Sequence, residues 1–235
     1  MTNNNPDNID VQADDVVKYK SLIIKNNKYK LVEQGLFSNL TNIIDSNIVI
    51  NDNSSILEVG FGDGSRLKQI NVFYKGAKVV GLEVRQSCVD NMVKDGYDCR
   101  LVTNEIFEMD DKFDVIYGFQ IIHHISTPYD YLAHLYSLLK PGGLLIFPHE
   151  AYSTNFLSFI IVTIQRHWKF ESNLFKLSKN KIIQSCSKYS NNYNICYNGT
   201  TFLYAFPRLH SLYRFLRFHK LPFINDLSIC IKKDF

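Results

Sequence analysis

The stretch Ile56-Leu57-Glu58-Val59-Gly60-Phe61-Gly62-Asp63-Gly64 decides how the rest of the chain is read. Residues of strand-forming character run directly into glycines at every second position. Glycine is needed where a backbone turns with positive φ or lets a ligand come close to its main chain. A buried strand that ends in such a loop, with a helical pattern behind it, is how an open α/β sheet builds its first ligand crevice.

Working outward, Ser65 to Val72 is helical in pattern, and Lys78 to Val84 is a second strand with Glu83 near its end. Gln86 to Lys94 is a helix closed by Asp95-Gly96. Cys99 to Val102 and Phe113 to Phe119 read as further strands. Thr127 can cap a helix with Pro128 at its first position, and Tyr131, Leu132, Leu135, Leu138 and Leu139 have helical spacing. Pro141-Gly142-Gly143 reads as a turn into a fifth strand, Leu144 to Phe147, and Leu227 to Lys232 as a last strand. Strands alternating with helices imply parallel pairing, right-handed crossovers and helices on both faces. The expected fold is therefore a doubly wound α/β sheet whose crevice lies at the carboxyl ends of the strands.

Before this core, residues 1–15 read as a mobile polar tail and residues 16–50 as a helical lid interrupted at Gly35. The core spans 51–150. Residues 151–222, aromatic at first and then rich in Asn, Ser and Tyr, read as an inserted helical cap over a substrate, with 223–235 returning as the final strand of the core.

The 235 residues suit one large domain or a domain with a cap, and 46% hydrophobic residues supply a sizeable core. A net charge of +3, with both signs interspersed, does not point to nucleic acid or an acidic membrane. Cys88, Cys99, Cys186, Cys196 and Cys230 form no C-x-x-C pair, which suits reduced thiols. Met1 to Asp15 lacks a basic-then-apolar leader, and no apolar run reaches the ~18 residues of a membrane span. The expectation is a cytoplasmic chain with no membrane span; no metal-ligand set stands out, and oligomeric state is open.

The chemistry of the loop separates two ligand classes. A dinucleotide fingerprint is G-x-G-x-x-G with a pyrophosphate on the helix N-terminus. Here the spacing is G-x-G-x-G, and Glu58 and Asp63 would repel a pyrophosphate. The same carboxylates suit a ligand with a cationic end and no phosphate, such as S-adenosylmethionine. Glu58 can receive its ammonium, and Glu83, about 20 residues downstream, can accept both ribose hydroxyls.

Taken in order, Glu58-x-Gly60-x-Gly62-x-Gly64, Glu83 after Val80-Gly81-Leu82, Phe113-Asp114-Val115-Ile116, His123-His124 and Leu139-Lys140-Pro141-Gly142-Gly143 resemble the class I S-adenosylmethionine-dependent methyltransferases, small-molecule type. The resemblance covers about Ser55 to Phe147. It implies a Rossmann-like, mostly parallel seven-stranded sheet, S-adenosyl-L-methionine as cofactor and S-adenosyl-L-homocysteine as product. By the resemblance, Gly60, Phe61, Gly62 and Gly64 pass under the methionine part, and Glu83, with Val84 beside it, holds the ribose. Asn104, where the family often has an aspartate, or Glu105 faces the adenine. Phe119 and Gln120 lie near the methionine tail and sulfonium.

The expected activity is methyl transfer to a small organic acceptor with an O, N, S or C nucleophile. His123, His124 and His149 are the candidate bases, and a structural role for each is the competing reading. The aromatic cap favours an acceptor with an apolar or aromatic body. Nothing points to nucleic-acid methylation: the chain lacks an Asn/Asp-Pro-Pro-Tyr run and a Pro-Cys nucleophile. The alternative is a non-catalytic cofactor-binding member acting as a partner subunit.

Overall fold

The computed structural model describes residues 27–151, 160, 177–198 and 225–234. The expected tail and nearly all of the aromatic stretch that opens the expected cap lie outside them. The described residues form a seven-stranded sheet built from β1 (Ser55–Val59), β2 (Lys78–Glu83), β3 (Asp98–Leu101), β4 (Phe113–Gly118), β5 (Leu139–Glu150), β6 (Tyr193–Asn198) and β7 (Asp226–Lys232). Its order is β3-β2-β1-β4-β5-β7-β6. The first five strands pair in parallel, while β7 runs antiparallel to both β5 and β6.

The doubly wound arrangement follows from strands that are apolar on both faces. In β1, Ile56 enters one buried cluster, whereas Leu57 and Val59 enter the other. On the first face lie α1 (Asn27–Asp45), α2 (Ser65–Phe73) and α3 (Gln86–Lys94), contributing Leu40, Leu67 and Met92. On the second lie α4 (Pro128–Ser137) and α5 (Lys179–Cys186), contributing Leu132, Leu135 and Ile182. Among the described residues no helix is long and apolar enough to cross a membrane.

The elements correct several expectations. Helix α1 runs through Gly35 unbroken, because Leu36, Leu40 and Ile44 lie on one stripe and bury against the sheet alongside Leu144 and Ile146 of β5. Glycine in a helix interior costs about 1 kcal/mol, less than the burial of a single leucine at about 1.5–3 kcal/mol. This part of the expected lid is thus packed into the core face.

Pro141-Gly142-Gly143 is not a turn before β5 but an irregularity within it. Strand β4 advances from Phe113 to Val115 while β5 advances from Leu139 to Leu144. The looped-out backbone is held by Lys233, whose carbonyl accepts from Gly142 and whose N–H donates to Gly143. Finally, the expected cap of 151–222 contains α5 and β6, and β6 is an edge strand of the main sheet.

Candidate functional site

The loop after β1 has left-handed backbone at Gly60, Gly62 and Gly64, with φ of 66°, 62° and 73°. Residues with a Cβ adopt this region rarely, so the alternating glycines are what let the chain fold back over the strand end. Gly60 N–H donates to Leu82 O at 2.8 Å, and Gly62 N–H donates to Glu83 Oε2 at 2.7 Å. The loop is thereby fastened to the end of β2. Asp63 Oδ1 accepts from Ser65 N–H and from its hydroxyl, at 3.1 and 2.8 Å. A carboxylate therefore already sits at the N-terminus of α2, where a pyrophosphate would have to rest.

Phe61 contributes only its backbone to the loop. Its ring is 3% exposed and turns into the core against Gly81, where an added Cβ would come within 2.7 Å of Phe61 Cδ1. Glu58 is also buried. It pairs in register with Tyr117 of β4, whose hydroxyl donates to Glu58 Oε2 at 2.9 Å. Burial, then the nearby Glu58 charge, holds the Tyr117 phenol well above its ordinary range, so it is a donor. Glu58 thus places negative charge beneath the glycine loop from inside the core.

Glu83 stands at the carboxyl end of β2, nearly closed off from solvent. Its Oε1 accepts from Val84 N–H at 2.9 Å and from the N–H and Nε of Arg85, both at 3.3 Å. Its Oε2 accepts from Gly62, which leaves that oxygen a second lone pair. Val84 beside it is 51% exposed, an apolar side chain facing outward at the strand end. Asn104 is exposed on the loop after β3. Glu105 is engaged elsewhere: its carboxylate accepts from Ser126 N–H and hydroxyl, both at 2.6 Å, and from Thr127 N–H at 3.3 Å. Thr127, expected as the side-chain cap of α4, makes no such bond to the helix. Glu105 supplies the negative charge at that helix start.

At the carboxyl ends of β4 and β5 a second polar group assembles. Phe119 lies under the Arg66 guanidinium, 4.1 Å from ring centroid to Cζ. Gln120 has φ of +54°. Its N–H donates to His149 O at 3.1 Å, and its amide nitrogen meets His149 Nε2 in a short contact. His149 is buried, its Nδ1 3.4 Å from Asp226 Oδ2, and burial pushes the imidazole below its ordinary pKa despite the Asp226 charge. His123, in the 3₁₀ turn Ile122–His124, is buried with Nδ1 3.1 Å from Glu150 Oε2. Its ring lies 4.0 Å from that of exposed His124. Fully buried Glu150 also accepts from Ile121 N–H at 2.8 Å and Ile122 N–H at 3.1 Å, so one carboxylate shapes the turn and orients the histidine.

The structure therefore joins the glycine loop, Glu83, Val84, Phe119 and Gln120 at one end of the sheet, with His123, His124 and His149 next to them. Tyr117, Arg66, Glu150 and Asp226 escaped the sequence reading. Glu150 follows His149 directly and could have been found from its place at the end of β5. Asp226 carries no local signal, because its partner lies in a different strand.

A family model described as a methyltransferase domain matches residues 32–184. The ubiquinone biosynthesis O-methyltransferase of Ruegeria pomeroyi is 32% identical over 98 residues, 39% of this chain and 39% of the relative, so well under half of the relative's length is matched. Among solved structures, the plantazolicin methyltransferase BpumL in complex with SAH aligns with a TM-score of 0.59 at 15% identity, over 92% of this chain and 98% of that one. Geranyl diphosphate methyltransferase in complex with SAM aligns with a TM-score of 0.62 at 13% identity, over 84% and 85%. At these identities the structural likeness is one of fold.

Proposed function

This chain belongs to the methyltransferase-domain family, and on that premise we propose that it moves the methyl group of S-adenosylmethionine to a small organic acceptor by in-line displacement. The observation that carries the reading is the acid-lined glycine loop: left-handed glycines run between buried Glu58 and Glu83, and Asp63 closes the helix N-terminus. That arrangement disfavours a phosphorylated ligand and suits a cationic one. The donor set also fits the group. Glu83 Oε2 keeps an acceptor position for a ribose hydroxyl, and exposed Val84 offers an apolar face to a purine. When bound, the cofactor supplies a methyl carbon made electrophilic by its sulfonium.

The chain's own contribution is alignment and exclusion of water, which can carry most of a displacement at carbon. His123 is the base we favour for an acceptor that must lose a proton. Glu150 takes its Nδ1–H, which directs basicity to Nε2. His149 is better suited to positioning, since its Nε2 already meets Gln120. His124 is exposed and stands beside His123 as the second candidate. An acceptor with an apolar or aromatic body agrees with the composition of residues 151–170.

Calorimetry with S-adenosylmethionine and S-adenosylhomocysteine tests the reading. Both should bind, and Glu83→Ala should weaken binding by at least ~1 kcal/mol. Binding of NADH with neither sulfur ligand would overturn it. Binding without transfer to any offered acceptor would favour a partner-subunit role.

A further inference from the structure

Three residues from separate parts of the chain meet beyond the end of β4 in a donor–acceptor order that one protonation pattern satisfies. Asp226, at the start of β7, is fully buried, and its Oδ2 faces His149 Nδ1 at 3.4 Å. The separation is that of a charge contact and not of a formed hydrogen bond, and a carboxylate, which only accepts, favours the imidazole proton on the nearer nitrogen, Nδ1. Nε2 then holds a lone pair, and the group it meets is the amide nitrogen of Gln120. An amide nitrogen only donates, so the order closes in one sense: carboxylate, Nδ1–H, lone pair, amide N–H. With the amide turned this way, Gln120 Oε1 is the branch directed away from His149, and no described residue hydrogen-bonds to it.

The position of Gln120 gives that oxygen a destination. Val59, the last residue of β1, pairs with Gly118, so Gln120 lies across from the start of the glycine loop. The next residue, Ile121, packs over Gly60: a Cβ on Gly60 would come within 2.5 Å of Ile121 Cδ1. The backbone is committed as well. Among the described residues Gln120 is the one non-glycine with positive φ, a conformation that costs about 1 kcal/mol or more and persists where the surroundings over-determine it. Its N–H to His149 O is part of that hold. Glycine would suit this backbone better, so a glutamine here needs a use for its side chain.

Resting on the cofactor reading above, we propose that Asp226 and His149 are positioning residues that turn the Gln120 amide oxygen toward the cationic methionine end of S-adenosylmethionine, making Gln120 a specificity residue for positive charge. Protonation of His149 reverses the order: both ring nitrogens become donors, the amide oxygen turns to Nε2, and an N–H replaces it before the ligand. Among the described residues, the charged and titratable groups that act on the imidazole are Asp226 of β7, Glu150 of β5, Arg66 of α2 and His123 of the 3₁₀ turn. Cofactor binding therefore weakens as His149 gains a proton.

Two measurements on the full chain test this. Long-range proton–nitrogen correlation spectra of histidine-labelled protein read the His149 tautomer, with His149→Gln for assignment. Calorimetry with S-adenosylmethionine compares wild type, Gln120→Gly and Asp226→Asn. Gln120→Gly suits the local backbone, so its melting temperature should stay close to wild type while its affinity drops about tenfold, the worth of a hydrogen bond to a charged group. Wild type should show the Nδ1–H tautomer near neutral pH, and Asp226→Asn should populate the other. An Nε2–H tautomer in wild type, or Gln120→Gly affinity within about twofold of wild type, overturns the inference and leaves the methyltransferase reading standing. A wild type that binds neither sulfur ligand overturns that reading first, and this inference with it.

Discussion

At the scale of single residues, Phe61 and Gly81 make one packing arrangement between them. A bulky side chain inside a ligand-binding loop could have blocked the crevice. Instead the ring enters the space that Gly81 leaves in the neighbouring strand, where a Cβ would also stand 3.0 Å from Cys99 Sγ. Gly81→Ala should therefore destabilise the fold by about 1–3 kcal/mol through overpacking, measured by denaturant unfolding. An unchanged midpoint would mean the ring lies elsewhere. The sequence displays both residues, but their meeting depends on β1–β2 pairing, so the direction of the ring was not legible from either alone. His149 makes a pH prediction. Burial holds its pKa below the ordinary 6.5 in the folded chain. Between the folded and unfolded values the unfolded chain carries the extra proton. Stability is therefore complete above 6.5 and falls as the pH drops through the window beneath it. His134, lowered by burial and then by Lys112, acts in the same direction. The melting temperature should fall on acidification from about pH 7.5 to about pH 5.5, and His149→Gln should flatten that fall.

At the scale of elements, local signals locate the helices and strands from β1 to β5 and misjudge how some of them are held. Pro128 does begin α4, as its fixed φ and missing N–H suggest. The Thr127 side chain does not cap it; instead Glu105, on the loop after β3, holds Ser126 and Thr127 as they enter the helix. A carboxylate there offsets the partial positive charge of the helix end while it holds the N–H groups of the two residues that lead into it. Glu105→Ala should cost about 1 kcal/mol of stability and leave affinity for S-adenosylmethionine unchanged, read by unfolding and calorimetry in parallel. The opposite pattern, lost affinity with unchanged stability, would return Glu105 to the adenine role its position after β3 suggested. Gly35 and Pro141-Gly142-Gly143 teach the same lesson. Each is a breaker by composition, and each is overruled by partners distant in sequence: the β5 face for α1, and the Lys233 backbone for the bulge in β5.

At the scale of the whole molecule, legibility divides along the sheet. Strands β1, β2, β4 and β5 each carry a motif, and parallel pairing with intervening helices follows from alternation alone. The antiparallel edge carries no such guide. Strand β6, Tyr193–Asn198, is polar and asparagine-rich, and pairing with β7 is what makes it a strand. By composition alone it belongs with the stretch expected as a cap. The same geometry makes β7 the element on which that edge depends. It lies between β5 and β6, and Leu227, Ile229 and Ile231 are fully buried. At about 1.5–3 kcal/mol for each side chain, those three alone rival the roughly 5–15 kcal/mol that separates a folded domain from its unfolded chain. Removing 223–235 would also take away Asp226 from His149 and Lys233 from the β5 bulge, where its Nζ donates to Leu139 O at 2.8 Å. A chain ending at residue 222 should therefore lose cooperative unfolding and bind no S-adenosylmethionine, although every glycine-loop residue is retained. Circular dichroism melts and calorimetry would show it. A truncated chain that still melts cooperatively and binds the cofactor would mean the strand order at this edge is wrong, and that the parallel half of the sheet is sufficient for the site.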